Sequence, residues 1–108
     1  ESGKKGRAEE FDVYFAAGSV SVSGAPLGEV ARLVAYLRRN PSTKVSLAGY
    51  VSGGEHRALA HRRVEAVRAL LVGRYGIDAR RVRTAAYGIA YFSAQPSKNR
   101  VVVAHAGE

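Results

Sequence analysis

The chain has 108 residues, with 17 Lys and Arg against 9 Asp and Glu and no Cys, Met or Trp, which is room for one ordinary domain and excludes a second. With 46% hydrophobic and 24% charged residues it can fill one core, and its composition is not that of a disordered chain. The lack of cysteine excludes disulfide frameworks, thiolate nucleophiles and cysteine zinc sites, but leaves the compartment open. No apolar run approaches the roughly 18 residues of a membrane span, and Glu1 onward shows neither a basic n-region nor an apolar h-region. The polar opening Glu1 to Arg7 therefore reads as the lead into a soluble domain excised from a longer protein, with a flexible segment over 1–10, one domain over 11–105 and a tail over 106–108. The formal net charge of +8 draws anionic partners without naming one.

Phe11, Val13 and Phe15 alternate with Asp12 and Tyr14, the period-two pattern of a half-buried first strand. A Gly/Ser/Ala-rich stretch, Ala16 to Gly24, leads to Pro26 at a first helical position, after which Leu27, Val30, Ala31, Val34 and Leu37 share one helical stripe and Arg32, Arg38 and Arg39 face water. Asn40-Pro41 stops this helix. Lys44 to Tyr50 predicts a second strand, with Val45, Leu47 and Gly49 on one face. After Ser52-Gly53-Gly54 a long helix is predicted from about Glu55 to Tyr75, with Ala60, Val64, Val67, Leu70 and Leu71 inward and Arg57, Arg62, Glu65 and Arg68 largely outward. Gly76 is a left-handed terminator followed by the apolar Ile77. Arg80 to Tyr87 predicts a third strand, Gly88 to Lys98 a turn-rich loop, and Val101 to Ala104 a fourth strand. The order strand-helix-strand-helix-strand-strand implies an α/β (α+β) sandwich, two helices on one face of a four-stranded mixed sheet.

Chemistry-bearing clusters are sparse. His56 and His61 are five apart, a poor spacing for one helical face, and no carboxylates join them, so no metal site is expected. Ser52, His56 and Glu55 crowd one tight loop without an assignable acid/base pair, and no catalytic site or cofactor is read from them. Tyr87, Tyr91 and Phe92 beside Arg81, Arg83 and Arg100 would suit a nucleic acid, but no recognition motif supports it. Gly73-Arg74-Tyr75-Gly76 is better explained as a helix end than as a KH loop. Tyr91-Phe92 is the one exposed-looking aromatic pair and marks a candidate partner surface.

The blocks Gly49-Tyr50-Val51-Ser52, Leu59-Ala60-His61-Arg62-Arg63-Val64-Glu65-Ala66-Val67, Tyr75-Gly76-Ile77-Asp78-Ala79-Arg80-Arg81-Val82, Ala86-Tyr87-Gly88 and Asn99-Arg100-Val101-Val102-Val103 together resemble the OmpA-like C-terminal domain. That family runs G-H-T-D, L-S-x-x-R-A-x-x-V, G-I-x-x-x-R-[IV], G-Y-G and N-R-R-V-E-I, with an F-x-F strand where Val13-Tyr14-Phe15 stands here. The resemblance covers Phe11 to Ala104. It implies a non-catalytic periplasmic domain, part of an outer-membrane or lipoprotein-anchored protein, that grips the peptidoglycan stem peptide and tethers its host to the wall. In that family the G-H-T-D aspartate and the L-S-x-x-R arginine clasp diaminopimelate, a zwitterion that needs a carboxylate for its ammonium and a planar guanidinium for its carboxylate. By this matching Arg63 is the arginine.

The sequence departs from the family at the other half of the clasp. Ser52 stands at the aspartate, Tyr50 at the histidine and Val51 at the threonine. The following loop is about four residues short, and His56 replaces an asparagine that precedes the L-S pair. The loop between Gly88 and Arg100 is trimmed too. Glu55, near the start of the second helix, is the candidate replacement carboxylate. The candidate ligand-binding set is thus Arg63, Ser52, Glu55, His56 and Arg100. Two functions follow: a wall-binding module with Arg63 in a pocket and Glu55 within reach of a bound ammonium, or a scaffold with a filled pocket that serves protein–protein contact in an envelope assembly. Neither involves nucleic acid or membrane insertion by this domain.

Overall fold

The computed structural model describes residues 9–107. The segment expected to be flexible over 1–10 falls outside these residues, apart from Glu9 and Glu10, which open the first strand. The elements in chain order are β1 (Glu9–Tyr14), α1 (Ala25–Arg39), β2 (Val45–Val51), α2 (Ala58–Ala69), β3 (Val82–Ile89) and β4 (Val101–Ala106). The order of strands and helices is the predicted one, and both helices lie on one face of a four-stranded sheet ordered β1-β4-β2-β3. β4 is antiparallel to β1 and to β2, while β2 and β3 are parallel and joined through α2, as a parallel pair requires a crossover.

The helical stripes are close to those the spacing predicts, with two differences. α1 buries Val30, Leu33, Val34 and Leu37, so Leu33 takes the inward place expected of Ala31, which is exposed. α2 buries Ala60, Arg63, Val64 and Val67, so an arginine sits in the row that meets the sheet. The second helix is also shorter than predicted. It begins at Ala58 and not at Glu55, and Leu70–Arg74 winds as a wider π-type turn. Gly76 at φ 70° then ends it, with Ile77 buried.

The core gathers Val13, Leu33, Leu37, Leu47, Val67 and Val102, each fully buried, among its central members. Gly49 on β2 allows α2 to approach, since a Cβ there would collide with the Val64 side chain and the Ala60 carbonyl. Two expected boundaries shift: β4 runs to Ala106 rather than ending before a tail, and the chain around Arg80 forms a short 3-10 turn, Ala79–Arg81, before β3. Arg81 turns inward there and donates to the carbonyls of Leu37, Asn40 and Thr43, which satisfies acceptors that the end of α1 leaves unpaired. Among the described residues no helix is long and apolar enough to cross a membrane.

Candidate functional site

Arg63 is placed by α2 against the end of β2 and the loop after β1. Its side chain is wholly buried. All five of its N–H donors are satisfied within the chain: Nε to the Ser19 carbonyl at 2.9 Å, Nη1 to the Tyr50 carbonyl at 3.2 Å and Glu55 Oε1 at 2.8 Å, Nη2 to the Ala16 carbonyl at 3.3 Å and Glu55 Oε2 at 2.6 Å. The two contacts to Glu55 form a fork-to-fork pair, the strongest arrangement available to these groups. The guanidinium also lies 5.2 Å from the centroid of the Phe15 ring.

Glu55 is held as firmly. Oε1 accepts from the Ser52 amide at 3.0 Å and Oε2 from the Gly18 amide at 2.7 Å. Burial pushes its carboxyl upward, but the hydrogen bonds from Arg63, Gly18 and Ser52, with the Arg63 charge, outweigh that and bring it down from 4.5 to about 2. The shortened loop makes this possible. Gly54 at φ 91° closes a tight turn in which the Glu55 amide donates to the Ser52 carbonyl, and the carboxylate folds back onto the guanidinium. Glu55 therefore does not act as a helix cap and lies before the helix. It meets Arg63 fork to fork, with both of its oxygens also accepting from backbone amides.

The structure thus brings Arg63, Ser52 and Glu55 together and leaves the other two candidates apart. His56 is exposed, and its Nδ1 accepts from the Ala58 amide just before α2. Arg100 donates to the Phe15 carbonyl. The loop after β1, which supplies three of the contacts around the ion pair, was not anticipated. Its Gly/Ser/Ala composition announces a loop, while its partner forty residues on carries no local signal. Asn99 is buried and ties the last loop by exchanging two hydrogen bonds with the Ser93 backbone.

The main cavities open elsewhere. The sheet face away from the helices carries Glu10, Asp12 and Tyr14 on β1, Val103 and His105 on β4, Ala48 and Tyr50 on β2, and Arg83 and Tyr87 toward the β3 edge. Tyr50 stacks on Tyr87 with centroids 5.5 Å apart and meets Phe92 edge-on at 4.8 Å, leaving Tyr87, Tyr91 and Phe92 largely exposed. Of the arginines grouped with these rings in the sequence, Arg81 and Arg100 are engaged with backbone carbonyls. A continuous basic and aromatic strip is not assembled. Between β1 and β2 this face holds a cavity of about 450 Å³. Burial, then the adjacent Glu10 and the more distant Glu29, raise the Asp12 carboxyl from 3.8 to about 6. Among the described residues no three His, Asp or Glu side chains come together as a metal site.

This arrangement of strands and helices is found in solved structures. The OmpA-like domain of FopA1 from Francisella tularensis subsp. tularensis SCHU S4 superposes with a TM-score of 0.80 at 20% identity, covering 91% of this chain and 71% of that one. The fold is that of an OmpA-like domain. The peptidoglycan-associated lipoprotein from Burkholderia pseudomallei matches with a TM-score of 0.67 at 21% identity over 90% of this chain and 88% of that one. The cell wall anchor of the T6SS from Pseudomonas aeruginosa matches with a TM-score of 0.73 at 20% identity, over 93% and 81% respectively. No family model and no curated protein matches the sequence. The fold is thus shared with these domains at 20–21% sequence identity.

Proposed function

We propose that this chain is a non-catalytic, OmpA-like domain of the periplasm whose stem-peptide clasp has been closed from within, and that it serves contacts in an envelope assembly at the cell wall. One observation carries the reading: the Arg63 guanidinium, the group that would grip a diaminopimelate carboxylate, has every donor engaged inside the protein and its fork filled by Glu55. A ligand carboxylate could bind there only by expelling Glu55, which would strand a buried carboxylate, and breaking a pair of this kind costs about 3–5 kcal/mol. A weak peptide ligand does not supply that. The fold neighbours support the setting, since they include a protein named as peptidoglycan-associated and one described as a cell wall anchor.

The test is a backbone amide NMR titration with a soluble stem peptide containing diaminopimelate, at low and high salt. The closed clasp predicts no localised shifts at Ser52, Glu55 or Arg63, and only diffuse changes that salt removes. Saturable, salt-resistant shifts at those amides would restore the wall-binding reading and overturn this one.

A further inference from the structure

The cavity on the open face of the sheet lies across β2 and β4 from Arg63 and is independent of whether the clasp is open or closed. Its floor is Val101 and Val103 of β4. The rings of Tyr14, Tyr50 and Phe92 form its walls, and the carboxylates of Glu10 and Asp12 line one side. At about 450 Å³ it falls in the range of sites that take a specific group.

Three observations say which group. First, this molecule twice places an arginine between an aromatic ring and a carboxylate, once buried and once at the surface. Arg63 lies over Phe15 and pairs with Glu55, and Arg32 lies 5.5 Å from the Phe11 centroid and pairs with Glu29 at 2.7 Å. The open-face cavity repeats that set of rings and carboxylates, and among the described residues no arginine lines it. Second, among the described residues Asp12 Oδ1 is buried and has no hydrogen-bond partner, a state that a donor from outside would relieve. Third, Glu10 and Asp12 place two carboxylates side by side on this face of a chain whose net charge is +8.

We propose that this cavity seats an arginine side chain presented by a protein partner, with its guanidinium against Tyr50 and Phe92 and its N–H groups on Asp12 and Glu10. Arginine fits better than lysine because a planar guanidinium stacks on rings and reaches two carboxylate oxygens at once, and arginine anchors of this kind dominate many interfaces. Lys98 is the chain's own cation at the rim. Beside it His105, which lines the same cavity, holds its Nδ1 4.0 Å from Glu10 Oε1 and pairs with that carboxylate when protonated, so Asp12 is the carboxylate left available. Lys98 Nζ sits 5.2 Å from the Tyr14 centroid, covers that ring and, among the described residues, makes no ion pair with Asp12 or Glu10. It acts as a weak competitor.

The probe is a blocked peptide, acetyl-Ala-Arg-Ala-amide, in which the guanidinium is the only charge, with the isosteric neutral citrulline peptide as control. The proposal predicts saturable amide shifts at Tyr14, Ser93, Lys98 and Val103 with the arginine peptide and none with citrulline. It predicts affinity at least tenfold lower in Asp12→Asn and higher in Lys98→Gln. Asp12→Asn removes a charge that burial disfavours, so it should retain the native spectrum; if it does not, Glu10→Gln takes its place with the same expected direction. Equal shifts from the citrulline peptide, unchanged affinity in the carboxylate variant, or weaker binding in Lys98→Gln would each overturn the proposal. Saturable binding of a chito-oligosaccharide at the same amides with none from the arginine peptide would assign the aromatic walls to a sugar instead. Because the stem-peptide titration reads amides around Ser52 and Arg63, failure of one reading leaves the other standing.

Discussion

Arg63 sits at a position whose helical spacing belongs to the core, between Ala60 and Val67, where a full charge would be prohibitive without a counterion. Glu55 makes the position tolerable, and the pair is interdependent: a buried ion pair adds little over an apolar substitute, but removing one member strands the other. Glu55→Ala is therefore expected to lower unfolding free energy by about 3 kcal/mol at neutral pH, measured by urea denaturation. The pH dependence gives a second signature in the same experiment. Because the folded carboxyl is held at about 2 against an ordinary 4.5, its contribution is complete above about 4.5 and is lost as pH falls toward 2. Wild type should show that acid-side loss, and Glu55→Ala should show a flatter profile over the same range. An unchanged stability would mean that Arg63 finds water when Glu55 is gone.

At the scale of elements, the contact between α2 and β2 depends on one missing side chain. Gly49 faces the helix, and any Cβ there meets Val64 and the Ala60 backbone, so the helix must lift or the strand must bend. Overpacking of this kind costs about 1–3 kcal/mol, and lifting α2 would also draw Arg63 away from the Tyr50 carbonyl. Gly49→Ala should accordingly lower the melting temperature by several degrees, at roughly 4–8 °C per kcal/mol for a domain of this size, with amide shifts concentrated in α2 and β2. The alternation Val45, Leu47, Gly49 showed which face Gly49 occupies. Its closeness to Ala60 had no local signal, because it follows from how α2 is laid on the sheet. The same limit explains the helix start: Glu55 looked like a first-turn residue because it precedes an amphipathic run, but its carboxylate is worth more on a buried guanidinium than on a helix end.

Over the whole molecule, charge is unevenly distributed. Glu10, Asp12 and Glu29 lie along β1 and the first turns of α1, while Arg57 and Arg62 stand exposed near the start of α2. Such a surface binds anionic matrices through screened, long-range attraction, which fades over about 8 Å at physiological salt. On a sulfonate cation-exchange column, Arg57→Gln with Arg62→Gln should elute at clearly lower salt than wild type. If the doubly substituted chain elutes with wild type, the exposed face of α2 is not the basic surface that the net charge advertises.

Composition and periodicity alone determined a good deal: the order of six elements, most of the apolar rows that form the core, and the glycine that ends the second helix, while Arg63 was singled out by the family resemblance. These are properties of neighbours in sequence, and spacing of two or 3.6 residues reports them directly. Only the tertiary structure decided that Glu55 fills the guanidinium fork, that the loop after β1 closes over it, and that His56 and Arg100 stand apart. It alone assembled Glu10, Asp12, Tyr14, Tyr50 and Phe92 around one cavity. Those groups come from two strands and a loop that are distant in the chain, and hydrogen bonds and burial act through space, where no local pattern of residues records them.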